Sequence, residues 1–275
     1  GKFVAVGDSG VILTSSNGSS WTSANSGVVT NLFSAAYGNG LYVVVGDAGV
    51  ILTSPDAVTW SSVSSGTSSN LRGITFAQSQ FVLVGATGII KTSPDGVNWT
   101  TKVSNISSNI LSIIYANGKY VATGVNGVIL TSSDSDTWTQ QVTNTTIYLI
   151  SVTYGNGLFI VTGYSGTILT SSDGVTWTAQ TDSISNKLDN IGYGNGLYVA
   201  IGAGGRILTS PNGGETWNAL SSRNITWNAA TFYSNVYIEF SIDNGVTWNN
   251  VVAATANTGS YTWTVPFLSS TQCLI

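Results

Sequence analysis

Tryptophan recurs in this chain with a strict period: Trp21, Trp60, Trp99, Trp138 and Trp177 stand 39 residues apart. Around each lies the same text, Gly-aromatic-Val-x-x-Gly-x-x-Gly-x-Ile-x-Thr-Ser-x-Asp-Gly-x-x-Trp. The copies starting at Gly1, Gly40, Ser79, Gly118, Gly157 and Gly196 align without a gap. Within a unit, runs such as Leu32 to Tyr37, Leu41 to Val45, Val50 to Thr53 and Thr59 to Val63 are β-branched and aromatic, and turn signals separate them. Four short strands in a repeat of about 40 residues predict an all-β chain built as a β-propeller of four-stranded blades, with six units visible. The first unit opens at its second strand. Two closures are therefore open: partial units share one blade of a six-bladed ring, or further blades make the ring larger.

The turns are as regular as the strands. Gly38-Asn39-Gly40, Gly155-Asn156-Gly157 and Gly194-Asn195-Gly196 join the first two strands, and Asn-Gly supplies the positive φ angles of a type I′ hairpin. A Gly-x-x-Gly element, as in Gly46-Asp47-Ala48-Gly49, joins the second and third strands. Its first glycine recurs as Gly7, Gly85, Gly124, Gly163 and Gly202 while the residues between change, which points to a backbone requirement. The last turn carries the most specific text, Ser93-Pro94-Asp95-Gly96-Val97-Asn98-Trp99 and Ser171-Ser172-Asp173-Gly174-Val175-Thr176-Trp177. We read Asn17, Asp56, Asp95, Asp134 and Asp173 as caps that accept backbone amides of their own turns. Trp21, Trp60, Trp99, Trp138 and Trp177 read as plugs between hairpins. A carboxylate present once per blade is better explained by the turn than by catalysis or calcium.

On these residues the chain resembles, over about residues 1 to 206, the Asp-box (BNR, sialidase-type repeat) propellers, including the photosystem assembly factor kind. In that family the Asp caps its turn and the Trp fills the space between hairpins, which the resemblance implies here. These copies lack one residue that the usual box has between Asp and Gly. After Ile207 the pattern changes: Asn224-Ile225-Thr226-Trp227, Val236 to Ser241 and Gly259 to Pro266 resemble a small immunoglobulin-like module found at the ends of secreted bacterial proteins. We therefore expect a propeller over residues 1–206 and, over 207–275, an incomplete Ig-like β-sandwich truncated at its C-terminal end. Ser241 to Trp248 reads as a full-length box inside that sandwich.

Composition narrows the function. Only 7% of residues are charged, with 8 Lys or Arg against 12 Asp or Glu, so no basic track awaits a nucleic acid. Every apolar run is cut within a few residues by Gly, Asn or Ser, so membrane insertion is not expected. The single Cys273 forbids an intrachain disulfide and reads as a buried strand residue. Few charges among many Ser, Thr, Asn and Gly suit an extracellular or cell-surface, bacterial protein.

No histidine is present, which removes the commonest general base, the usual triads and imidazole-bound zinc. Sialidase chemistry, which the resemblance would bring, clamps a carboxylate with three arginines and uses a Tyr–Glu pair. The propeller part holds only Arg72 and Arg206 and no Glu, so no catalytic residue is carried over. A glycosidase needs only two carboxylates; Asp8, Asp47, Asp182 and Asp189 are the ones the box leaves over, and Asp8 and Asp47 read as turn residues. The expectation is no enzyme, no metal and no cofactor.

A partner is expected at the face formed by the second-to-third strand turns and the interblade loops, because it alone varies between copies. Its candidates are Asp8, Asp47, Thr87, Asn126, Tyr148 and Tyr164, the two tyrosines as aromatic anchors. Three roles fit: a protein-binding scaffold or adhesion module of a larger surface or secreted protein, a glycan-binding propeller, or a subunit that self-associates through strand edges.

Overall fold

The computed structural model describes residues 1–180, 185–213, 217–219, 222–226, 235–240, 249–258 and 260–264. Each 39-residue unit folds as one antiparallel sheet, here numbered blades 1 to 6. In blade 2, Leu32–Gly38, Leu41–Gly46, Ile51–Ser54 and Ser61–Val63 pair in chain order. Blades 3 to 6 repeat that order from Leu71, Ile110, Leu149 and Leu188, whereas blade 1 has three strands, Phe3–Val6, Ile12–Ser15 and Thr22–Ala24. The first strand of each complete blade packs against that of the next, so these strands are innermost in a β-propeller ring.

Second strands have neighbours on both faces, and their sequences are apolar on both. Val43 and Val45 of blade 2 share a core with Leu71, Ile74, Phe81 and Leu83 of blade 3. Val44 and Leu52 turn the other way, toward Ile12 of blade 1. Period-2 alternation thus lets one strand serve two interfaces. Trp60, Trp99, Trp138 and Trp177 pack toward the preceding blade: Trp138 joins Val82, Val84 and Ile90, and Trp177 joins Val121 and Ile129. These two rings are buried, Trp60 and Trp99 are half-buried, and Trp21 of blade 1 is 42% exposed.

Innermost strands interlock through a small residue and an aromatic. Gly38 is pressed against the Phe76 ring and Gly155 against the Tyr193 ring, so that an added Cβ would lie 2.0 and 2.2 Å from ring carbons. Ala77 and Ala116 occupy the same place opposite Tyr115 and Tyr154.

The turns separate into two faces. On one, Asn39 and Gly40 hold φ of 49° and 77°, the type I′ geometry expected from Asn-Gly. That face is stitched between neighbours: Asn39 Nδ2 donates to Pro94 O, Gln78 Nε2 to Ser133 O and Lys119 Nζ to Asp173 O. On the other face the Gly-x-x-Gly segments form single 3-10 turns. Gly46 is extended and is required by the Asn31 carbonyl, 2.4 Å from where a Cβ would sit; Gly49 has φ +73° and meets Thr67 O at 2.0 Å. The residue before the second glycine is also left-handed, although it is not glycine: Ser9, Ala48, Thr87, Asn126 and Ser165 have φ of 53–59°. Thr87 is the costliest of these, being β-branched.

Two compact units divide the chain, residues 1–205 with 210–217 and residues 206–209 with 218–275. In the second, Ser222–Thr226 pairs antiparallel with Ser260–Thr264, and Asn235–Phe240 with Asn249–Ala256. Cys273, Asp182 and the box at 241–248 lie outside the described residues. Among the described residues no helix is long and apolar enough to cross a membrane.

Candidate functional site

Every innermost strand contains a bulge at the same place. Its pairing with the second strand slips between Leu32 and Ser34, Leu71 and Gly73, Ile110 and Ser112, Leu149 and Ser151, and Leu188 and Asn190. The residue left over is Phe33, Arg72, Leu111, Ile150 or Asp189. A bulge re-aims the side chain it releases, and all five line one cavity of about 680 Å³ at the centre of the innermost strands. The flanking positions explain why the bulge holds. The residue before is a Leu or Ile anchored in a core at 2% exposure or less. The residue after is Ser, Gly or Asn, and twice a serine hydroxyl ties neighbouring strands together: Ile74 N donates to Ser34 Oγ (3.3 Å) and Ile191 N to Ser151 Oγ (3.4 Å). The frame is uniform, whereas the released side chains are two aliphatics, an aromatic, a cation and an anion.

The mouth of the cavity departs from the repeat as well. Asn31, Asn70 and Asn109 each accept, through Oδ1, the N–H of a residue in the preceding 3-10 turn: Ser9, Ala48 and Thr87, at 2.9–3.0 Å. One and two repeats later those Asn positions are Tyr148 and Lys187. Tyr148 meets Tyr164 edge to face, with ring centroids 5.4 Å apart, and Lys187 Nζ lies 5.2 Å from the Tyr164 centroid. Lys187 is also paired with Asp189 at 2.5 Å, and that carboxylate raises the lysine's pKa above its ordinary value. Across the cavity the Arg72 guanidinium stacks on Phe33, 4.0 Å from the ring centroid. Among the described residues Arg72 has no carboxylate partner.

Of the residues expected at the binding face, the structure brings Tyr148 and Tyr164 together at this cavity. Asp8, Asp47, Thr87 and Asn126 stay out of its wall, on the 3-10 turns. Asp47 Oδ2 accepts from Asn31 Nδ2 (3.1 Å), and Asn126 Nδ2 donates to Ser108 Oγ (3.4 Å), so both are engaged within the loop layer. Sequence reading did not assign Phe33, Arg72 or Lys187 to the binding face, and it named Asp189 only as a carboxylate left over by the box. Their signal was present: one column of the repeat runs Phe, Arg, Leu, Ile, Asp between near-constant neighbours, and another runs Asn, Asn, Asn, Tyr, Lys.

The box residues sit on the opposite, stitched face. Asp56 Oδ1 accepts from Val58 N and Thr59 N, both at 2.8 Å, and from Ser54 Oγ at 2.9 Å. Asp95, Asp134, Asp173 and the amide oxygen of Asn17 repeat this arrangement. The amide donors hold Asp56 and Asp173 at about 2, and depress Asp95 and Asp134 below the usual carboxylate range. Among the described residues no three Asp, Glu or Cys side chains converge on a point that could hold a metal.

No curated protein sequence matches this chain. The family described as the DUF6242 beta propeller domain matches residues 54–188. Among solved structures, YCF48 from Cyanidioschyzon merolae is similar at a TM-score of 0.63 and 16% identity, over 95% of this chain and 91% of that one. A structure titled YCF48 bound to D1 peptide is similar at 0.64 and 17%, over 86% and 84%. Blade order, interblade cores and these likenesses agree: the 39-residue units build a β-propeller similar in fold to YCF48.

Proposed function

We propose that the protein is a non-enzymatic, peptide-binding propeller that takes a segment of a partner protein into the cavity of bulge residues. The observation that carries this is the bulge column, where five equivalent positions aim five side chains of different chemistry at one cavity. A wall of Phe33, Leu111 and Ile150 beside Arg72, which has no carboxylate partner among the described residues, suits a ligand with apolar side chains and a carboxylate. Peptides combine the two. A sugar would need open aromatic faces, and Arg72 covers that of Phe33. The structural neighbour YCF48 holds a peptide, which supports the same class of ligand. The sparse charge and the Ser-, Thr- and Asn-rich surface favour an extracellular or cell-surface scaffold role within a larger bacterial protein.

The test is a peptide array, followed by fluorescence anisotropy on the best binder. Acidic peptides with apolar neighbours are expected to bind, and Arg72→Ala to weaken them by roughly tenfold or more at low salt. Signal on a glycan array alone, or peptide binding indifferent to Arg72→Ala and Tyr164→Ala, would sink the proposal.

A further inference from the structure

Two positions at the cavity mouth give up a hydrogen bond that three earlier copies of the repeat make. Asn31, Asn70 and Asn109 latch the preceding turns through Oδ1, and the next two copies carry Tyr148 and Lys187 instead. Neither side chain has an amide oxygen, so Asn126 N and Ser165 N lack the latch that Ser9, Ala48 and Thr87 keep. What the exchange builds is a seat for a cation. The rings of Tyr148 and Tyr164 meet edge to face, each 45% exposed. Asp189, released toward the cavity by its bulge, is the single carboxylate in the wall among the described residues. Aromatic faces beside a carboxylate attract an ammonium or a guanidinium group. The chain itself fills this seat: Lys187 Nζ stands 5.2 Å from the Tyr164 centroid and 2.5 Å from Asp189 Oδ1.

The occupant is held loosely. The Lys187 and Asp189 side chains are 37% and 42% exposed, and an ion pair so open to water contributes little, so one cation can replace another there at small cost. We propose that Lys187 is an internal stand-in for a basic side chain of the bound segment, which displaces it from Tyr164 and Asp189. The inference rests on the peptide-binding reading of the cavity and adds a second charge to the ligand. In blade order the bulge residues run Arg72, Leu111, Ile150, Asp189. A cation and an anion thus stand at the two ends of an apolar stretch of wall. The complementary ligand is an amphoteric segment: an acidic residue for Arg72, apolar residues for Leu111 and Ile150, and a Lys or Arg for Asp189 and the two tyrosines. A segment with the acid alone leaves Lys187 in its seat and binds more weakly.

The probes are fluorescein-labelled peptides in which one Glu and one Lys flank a run of Leu and Gly of graded length, each matched with a counterpart carrying Gln for the Lys. All are titrated into the full chain by fluorescence anisotropy, and the readout is the ratio of the two affinities in each pair. At the best spacing the Lys peptide is expected to bind roughly fivefold tighter than its Gln counterpart. Lys187→Met keeps the aliphatic stem and removes the competitor, so the ratio should rise roughly threefold further. Asp189→Asn should bring the ratio to about one. Two neighbouring substitutions therefore move it in opposite directions, which loss of folding cannot do. Three results overturn the proposal: no preference for Lys at any spacing, a ratio that does not rise on Lys187→Met, or a ratio indifferent to Asp189→Asn. Where binding still depends on Arg72 in those cases, the peptide reading stands and the stand-in alone fails. Binding indifferent to Arg72→Ala at every spacing, or no binding by any peptide, overturns both.

Discussion

At the scale of single residues, the repeat supplies its own controls. Thr123 and Thr162 are fully buried and their hydroxyls have no partner among the described residues, at a position where blades 2 and 3 carry Val45 and Val84. Removing an unsatisfied buried hydroxyl without changing shape favours the folded state. Thr123→Val is therefore expected to stabilise by about 1 kcal/mol, read as a raised urea midpoint with an unchanged slope. The box aspartates make a pH prediction of definite sign. Their folded pKa values lie below the ordinary 3.8, with Asp56 and Asp173 near about 2. The stability they contribute is complete above 3.8 and is lost as pH falls toward about 2. Asn17 does the same work without titrating. Replacing the four aspartates by Asn should flatten the thermal midpoint against pH in that window, and an unchanged slope would show that the caps are not its source.

Elements differ by their neighbours more than by their sequences. Five tryptophans occupy one position of one motif, yet their burial follows the neighbour each lies on. Trp138 is 5% exposed against blade 3, and Trp21, 42% exposed, joins none of the interblade cores among the described residues. Trp138→Ala is expected to cost about 3–5 kcal/mol and Trp21→Ala about 1 kcal/mol or less, measured by denaturant unfolding. Equal costs would mean that the rings stabilise their own turns rather than the interface. The bulge is likewise a property of the element in its ring. In sequence, residues 32–38 read as a plain strand, because nothing local distinguishes a released Phe33 from a paired one.

For the whole molecule, nearest-neighbour packing implies a gradient of stability. Blades 3 and 4 pack on both sides, whereas among the described residues blades 1 and 6 each share a core or a strand contact with one neighbour only. In such arrays local opening follows missing interfaces. Amides of Gln80–Gly85 and Lys119–Gly124 should exchange slowest and those of Phe3–Val6 and Leu197–Gly202 fastest in native-state hydrogen exchange. Uniform protection around the ring would contradict that gradient. The two faces of the disc divide the labour: one is fixed by stitched turns, and the other carries the variable side chains.

The sequence alone determined the strand count of each blade, the turn types and the capping residues, because these depend on contacts within one 39-residue unit and repeat with it. It also singled out the variable face and Tyr148 and Tyr164 on it. Only the tertiary structure decided that Arg72, Lys187 and Asp189 meet Tyr148 and Tyr164 at one cavity, since residues two or three repeats apart converge only when the blades turn about a common axis.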